Sequence, residues 1–411
     1  MRIWAFPSFY PMDVPGRRWS GIFAHRQYQG LIKNGADLKV VVPVPDHPPF
    51  PFYLLSEDWK SAKEMAYPHG AVYDGVQVLY PRISTKKPSR FFGSHLERYT
   101  DALAKMFKNN NITLDRSTDI FFSQWLPESA CVTYAAQKLG VKSAVLSIGD
   151  DVVVWPHDSE RSLESFKSAI DMADVRFACA QYLADATNKL MGRDVEQFVV
   201  RWGVDYDFFQ PSTDQQQQEL RSKLNLPQDK VIILTTGTAI VRKGWLDLFD
   251  ALAVVAKTNA NFLLVGIHAG ESALDLSSEA AARELSGNFL NLGEVPPSAI
   301  NDYYRAADIF CLPSHWEGLA NAVIEAMSTG LPVLTTNVCG HPEIVFDGEN
   351  GLLVPPKQPQ LIADRLSKLI ADKAYRRKLG ENARKHIVEV WGNSEDNTSF
   401  LYNRLLHTLD S

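Results

Sequence analysis

Apolar positions along the chain fall into short strand-length runs separated by stretches of helical period, and they do so in two successive series. The first opens with Arg2–Ala5, a loop from Pro11 to Gly21, an amphipathic stretch over Ile22–Asn34 that Gly35 ends, and then Leu38–Pro43. Such alternation predicts βαβ units, hence parallel sheets with a ligand crevice at the strands' carboxyl ends. Ile120–Gln124, a helix over Glu128–Leu139, Ser143–Ser147 and Arg176–Ala180 continue it, and Arg201–Pro211 breaks it; residues 44–118 read as less regular. Ser212–Gln218, with its run of glutamines, reads as the solvent-facing start of a helix ending near Leu224. The second series begins at Val231–Thr236. It passes through a helix with Trp245, Leu248, Phe249, Leu252 and Val255 on one face to Phe262–Val265 and Phe289–Leu292. Leu361–Ile370, Tyr375–Val390 and Asn397–Leu409 read as closing helices, the last amphipathic.

The pattern predicts an α/β protein of two Rossmann-like doubly wound domains, 1–203 and 204–394, joined near 204–212, with a C-terminal helix over about 395–411. A length of 411 residues agrees, being too long for one ordinary core. With a net charge of −6, no global field draws nucleic acid. Cys131, Cys179, Cys311 and Cys339 are too dispersed for a zinc site or a disulfide framework and suit a reducing compartment. The N-terminus is unlike a secretory signal, and no apolar run reaches the roughly 18–20 residues of a membrane span, so a cytoplasmic protein is expected. Lys86–Tyr99 has two readings. Basic residues beside Phe91 and Phe92 suit peripheral contact, through Lys86–Phe92, with the inner membrane face or a lipid-linked acceptor; equally, this is a solvated loop over a core-facing phenylalanine pair.

The densest chemistry lies in Ser314–Gly330. Glu317 and Glu325 flank a helix that should begin near Ala320 or Asn321, because Gly318 breaks regular structure and the following residues suit a helix interior; Gly330 then stops it. The free amides of a helix's first turn form an anion site, so a phosphate fits there. Glu325, about one turn in, is placed to accept hydroxyls, with Glu317 in the loop at the mouth. Taken alone, the pair reads equally as acids complementing a helix dipole and a solvated face. Gly237–Gly244, after the strand Val231–Thr236, carries Arg242 and Lys243 to the same sheet edge, where a pyrophosphate would meet them. Neither metal nor other cofactor is expected.

From NLGEV through YYRAADIFCLPS, EGLANAVIEAMSTGLPV, CGHPEIVFDG and NGLLVPP, the stretch Leu290–Pro356 resembles the donor-binding half of the retaining glycosyltransferases of family 4, which have the GT-B fold. GIFAHRQYQGLIKNGADLKVVVP and RWGVDYDFFQP extend the resemblance over most of the chain. It implies two domains facing a central cleft, a last helix that crosses back onto the first domain and forms a hinge with the linker near 204–212, where the pattern alone equally allows a capping helix, and transfer of a sugar from a UDP- or GDP-sugar donor to a glycan or lipid-linked acceptor in surface polysaccharide assembly. On it, Glu325 would bind the ribose and Glu317 the donor sugar. The amides of Gly318, Leu319, Ala320, Asn321 and Ala322 would hold phosphate or sugar, and Lys243 would neutralise the leaving diphosphate. Val295 would meet the base, and Gly21 would face the donor from the first domain. Two positions depart from the family pattern. Thr238 stands where an arginine usually follows the loop's first glycine, a charge Arg242 would supply. Ile148-Gly149-Asp150-Asp151 replaces a His-Gly-x-Asp stretch, leaving Asp150 or Asp151 to substitute, with Asp151 at the family-like position. A binding protein without catalysis, or an epimerase or hydrolase on the same fold, are the alternatives.

Overall fold

In a computed structural model that describes residues 1–8, 10–11, 21–46, 70–84, 92–268 and 273–410, the apolar runs become strands buried on both faces. This is the burial a parallel sheet covered by helices imposes. Contacts divide the described chain into one unit up to Val200 joined by the residues from Thr398 onward, and another over Arg201–Asn397.

In the first unit the elements follow as β1 (Arg2–Pro7), α1 (Ile22–Lys33), β2 (Asp37–Val41), β3 (Val44–Asp46), β4 (Gly70–Tyr73), β5 (Val76–Leu79), β6 (Arg82–Ser84), α2 (Phe92–Asn109), β7 (Asp119–Gln124), α3 (Leu126–Leu139), β8 (Lys142–Ser147), α4 (Glu160–Met172), β9 (Val175–Ala178), α5 (Gln181–Met191) and β10 (Phe198–Val199). The sheet runs β10-β9-β8-β7-β1-β2-β5-β4, parallel except for β4 against β5, and β3 pairs with β6 apart from it. Strand order reverses between β1 and β7, which makes the carboxyl ends of those two strands the crevice of this sheet. All positions of β7 and β8 are buried, and Trp4 packs edge-on against Phe107 with ring centroids 4.8 Å apart.

The second unit holds α6 (Asp214–Lys223), β11 (Val231–Thr236), α7 (Trp245–Ala256), β12 (Phe262–Ile267), α8 (Leu276–Ala281), β13 (Phe289–Gly293), α9 (Ile300–Ala306), β14 (Ile309–Leu312), α10 (Asn321–Ser328), β15 (Val333–Thr336), β16 (Leu352–Val354), α11 (Pro359–Ala371) and α12 (Lys373–His386). Its sheet is wholly parallel in the order β13-β12-β11-β14-β15-β16, with the reversal between β11 and β14. The glutamine run does start a helix: Thr213 and Gln216 form a reciprocal capping box at the head of α6. The final helix, α13 (Ser394–Asp410), passes into the first unit at Thr398, where Ser399 Oγ donates to Asn34 Oδ1 at 2.9 Å.

Some elements differ from the sequence expectation. Within the stretch read as irregular, α2 buries Leu96, Tyr99, Leu103, Met106 and Phe107, a helical stripe hidden by the proline-rich residues before it. The expected helix Tyr375–Val390 is α12 followed by a wider π turn, Ile387–Trp391, that ends at Gly392. Cys131, Cys179 and Cys311 are buried, and burial pushes the Cys131 thiol up to about 12, which leaves it unreactive. Among the described residues no helix is long and apolar enough to cross a membrane. Lys86–Phe91 and the Gly16–Ser20 part of the first loop lie outside the described residues.

Candidate functional site

The two loops of interest in the second unit leave β11 and β14, the strands on either side of that sheet's reversal. The first, Gly237–Gly244, curls into a 3₁₀ turn over Val241–Lys243. Gly244 has φ +75, and a Cβ there would lie 2.0 Å from the Pro313 carbonyl oxygen. Only glycine lets the two loops approach this closely. The approach is then fixed by backbone and side chain together: His315 N–H donates to the Arg242 carbonyl at 2.8 Å, and His315 Nε2 meets Asp247 Oδ2, in the first turn of α7, at 2.6 Å.

This contact brings two cations onto one acid. Lys243 Nζ lies 2.5 Å from Glu317 Oε1, and Arg242 Nη1 lies 3.6 Å from Glu317 Oε2. Ser314 Oγ donates to Oε1 at 2.9 Å, and the Arg242 guanidinium lies 4.2 Å from the Trp316 ring centroid while donating to the Trp316 carbonyl. Glu317 is thus only 6% exposed and not open at the loop mouth, where its place in the sequence predicts it. Burial alone would push its carboxyl up; the neighbouring Lys243 and Arg242 outweigh that and hold it below the usual carboxylate range. One carboxylate against two cations leaves the cluster with a net positive charge, on the crevice at the strands' carboxyl ends where open α/β sheets bind ligands.

Helix α10 starts at Asn321, as the sequence predicts, and its N-cap, Ala320, supplies no side-chain cap to the first-turn amides. The half-buried Glu325 sits about one turn along, where Tyr304 Oη donates to Oε2 at 3.0 Å. Thr238 turns its carbonyl to Trp245 Nε1 at 3.0 Å, and Val295 is half-buried in the turn after β13. The structure therefore joins Arg242, Lys243 and Glu317 directly, and sets Glu325 on the helix that follows. Gly21 and Asp151 belong to the first unit. Gly21 opens α1 at φ +74. Asp151 is fully buried, with Oδ1 accepting the Ile148 and Gly149 amides at 3.1 and 2.6 Å, so its carboxylate holds the turn in which Ile148 stands. Among the described residues no group of His, Cys, Asp and Glu has the make-up of a metal site.

Residues 216–386 match the family model described as glycosyl transferases group 1. The chain is thus similar to this group across much of its second unit. It is 27% identical over 369 residues to TuaC of Bacillus subtilis (strain 168), assigned as a glycosyltransferase to teichuronic acid biosynthesis, with 90% of this chain and 89% of that protein covered. Sucrose-phosphate synthase from Thermosynechococcus elongatus is similar in structure with a TM-score of 0.74 at 18% identity, over 100% of this chain and 99% of that one. Anabaena HepE, solved in complex with UDP-glucose, gives 0.73 at 17% identity over 99% and 100%. These likenesses agree with the two doubly wound sheets in showing the GT-B fold.

Three side chains that shape the site are not singled out by the sequence. Ser314 and Tyr304 hold the two glutamates, and both sit inside the quoted motifs; a hydroxyl three residues before Glu317 was the available signal. The third, His341, is fully buried. Its Nδ1 lies 3.0 Å from both the Thr336 carbonyl and Thr335 Oγ1, whose own proton goes to the Leu312 carbonyl. Nδ1 must therefore carry the hydrogen, and Nε2 has no hydrogen-bond partner among the described residues. Burial lowers the imidazole's pKa below its ordinary value. A histidine depressed in the folded state contributes stability above its unfolded pKa of about 6.5 and loses it as pH falls through the folded one. The melting temperature of the His341→Asn variant, which keeps a donor for Thr336, should consequently fall less steeply than wild type below about pH 6.5. Parallel curves would show that His341 does not titrate on unfolding.

Proposed function

We propose that this chain is a glycosyltransferase that moves a sugar from a UDP- or GDP-sugar to a glycan or lipid-linked acceptor in polysaccharide assembly, without a metal and with retention of anomeric configuration. The observation that carries the donor reading is the cluster of Lys243 and Arg242 on Glu317 at the sheet's reversal, beside the uncapped amide end of α10. A nucleoside diphosphate leaving an anomeric carbon gathers negative charge. Fixed N–H donors and a positioned ammonium lower the barrier to that departure electrostatically. Lys243 has three N–H donors; one serves Glu317, and the others are available to the diphosphate. Glu317 holds the two cations side by side and keeps acceptor capacity for a donor-sugar hydroxyl. The orientation of Glu325 by Tyr304 suits it to ribose hydroxyls, and Val295 is assigned to the base. Asp151 is assigned to support of the Ile148–Gly149 turn. The UDP-glucose complex of HepE and the role given to TuaC support the donor class and the polysaccharide setting, and the resemblance to family 4 supports retention.

Incubating the purified chain with UDP- and GDP-sugars and glycan acceptors in the presence of EDTA tests this reading. It predicts transfer that survives chelation, with a product of the donor's anomeric configuration. Glu325→Ala should weaken nucleotide binding by about 10- to 100-fold, the loss of hydrogen bonds to a charged group worth about 1.5–3 kcal/mol. Nucleotide binding without transfer or slow donor hydrolysis would favour a binding protein, and unchanged nucleotide affinity in Glu325→Ala would remove Glu325 from the site.

A further inference from the structure

The first unit contains a cavity of about 450 Å³, within the roughly 300–1,000 Å³ typical of small-molecule sites. Its location follows from topology. The floor is the end of β1, with Pro7 and Ser8, and the wall across from it is the first turn of α3, with Glu128. These flank the reversal between β1 and β7, so the cavity occupies the crevice of this sheet as the Lys243 cluster occupies that of the other.

The lining separates into three chemistries. Trp155 offers a half-buried aromatic face of the kind that packs on the C–H face of a sugar. Glu128 accepts a hydrogen bond from Ser8 Oγ at 3.0 Å and keeps acceptor capacity for hydroxyls. The third side is cationic. Arg161 lines the cavity from the first turn of α4, a helix end that itself favours anions, and His95 lines it from α2. His95 is held below its ordinary pKa by burial and by Arg98 and Arg161, which marks that side as positive. Arg98 lies behind His95 and outside the lining, its buried Nε without a hydrogen-bond partner among the described residues.

We infer that this cavity is a subsite for an acidic saccharide, with the ring on Trp155, hydroxyls toward Glu128 and the sugar's carboxylate or phosphate toward Arg161. That the sugar belongs to the acceptor rests on the transfer reaction proposed above; its binding does not. A guanidinium matches a carboxylate or phosphate through paired N–H donors, which a neutral sugar does not engage.

Titrating the full chain with glucuronate, glucose 6-phosphate and glucose, read by the tryptophan fluorescence change that Trp155→Phe abolishes, tests the inference independently of catalysis. An acidic sugar should bind at least about 10-fold tighter than glucose, as one charge-assisted pair implies, and whichever anion binds more tightly names the class. Arg161→Gln should remove most of that preference and Arg161→Lys should retain part of it, while UDP affinity stays unchanged in both. Equal binding of glucuronate, glucose 6-phosphate and glucose, a preference that survives Arg161→Gln, or displacement of the sugar by UDP would overturn it. If transfer fails while acidic sugars bind as described, the reaction is wrong and the subsite stands.

Discussion

Glu317→Gln should lower the transfer rate by about 100-fold or more, the loss seen when one fixed electrostatic group is removed from an active site, while leaving nucleoside diphosphate affinity unchanged or tighter. The opposite signs follow from the charge count. Glutamine keeps the shape and one acceptor oxygen but loses the charge that pins the Lys243 ammonium 2.5 Å from Glu317 Oε1, so the cation is held less firmly beside the leaving group. Removing the carboxylate also leaves two uncompensated cations, Arg242 and Lys243, and a diphosphate in the ground state gains from both. Stability should fall by about 1–3 kcal/mol, short of the roughly 3–5 of a fully buried broken pair, because the cations left behind are partly exposed. Steady-state kinetics, calorimetric titration with UDP and GDP, and a thermal melt separate the three effects. Turnover and affinity both at wild-type levels would remove Glu317 from the chemistry.

Lys243→Met should cost about 100- to 1,000-fold in turnover, and here nucleotide affinity should fall with it. Methionine preserves most of the side chain's volume and removes the ammonium, so the diphosphate loses a partner in the ground state as well as in departure. A second consequence concerns Glu317. With its nearest cation gone, burial is less opposed and its carboxyl rises from its depressed position. The acid limb of the residual activity should then move to higher pH. A rate loss with an unmoved acid limb would mean that Lys243 does not set the ionisation of Glu317.

The periodic pattern made most of both sheets legible, because buried parallel strands leave continuous apolar runs: Val231–Thr236 is the strand the sequence predicts. Helix α10 was legible from Gly318 and Gly330, which punctuate it through backbone freedom alone. What escaped depends on contacts distant in sequence. Nothing near Glu317 tells that Gly244 permits a loop some seventy residues earlier to close on it, so its burial and its pairing with Lys243 appear only in three dimensions. Similarly, Asp151 reads as a candidate acid, and only the fold shows both neighbouring amides turned onto it. The helix α2 was obscured by its proline-rich approach, and with it one wall of the first unit's cavity.

The most direct test of the donor site is a crystal structure of the chain with a bound nucleoside diphosphate. The β-phosphate should lie about 3 Å from Lys243 Nζ and from the first-turn amides of α10, with ribose hydroxyls on Glu325. A diphosphate bound away from the loops that follow β11 and β14, with the Lys243–Glu317 pair left untouched, would contradict the assignment.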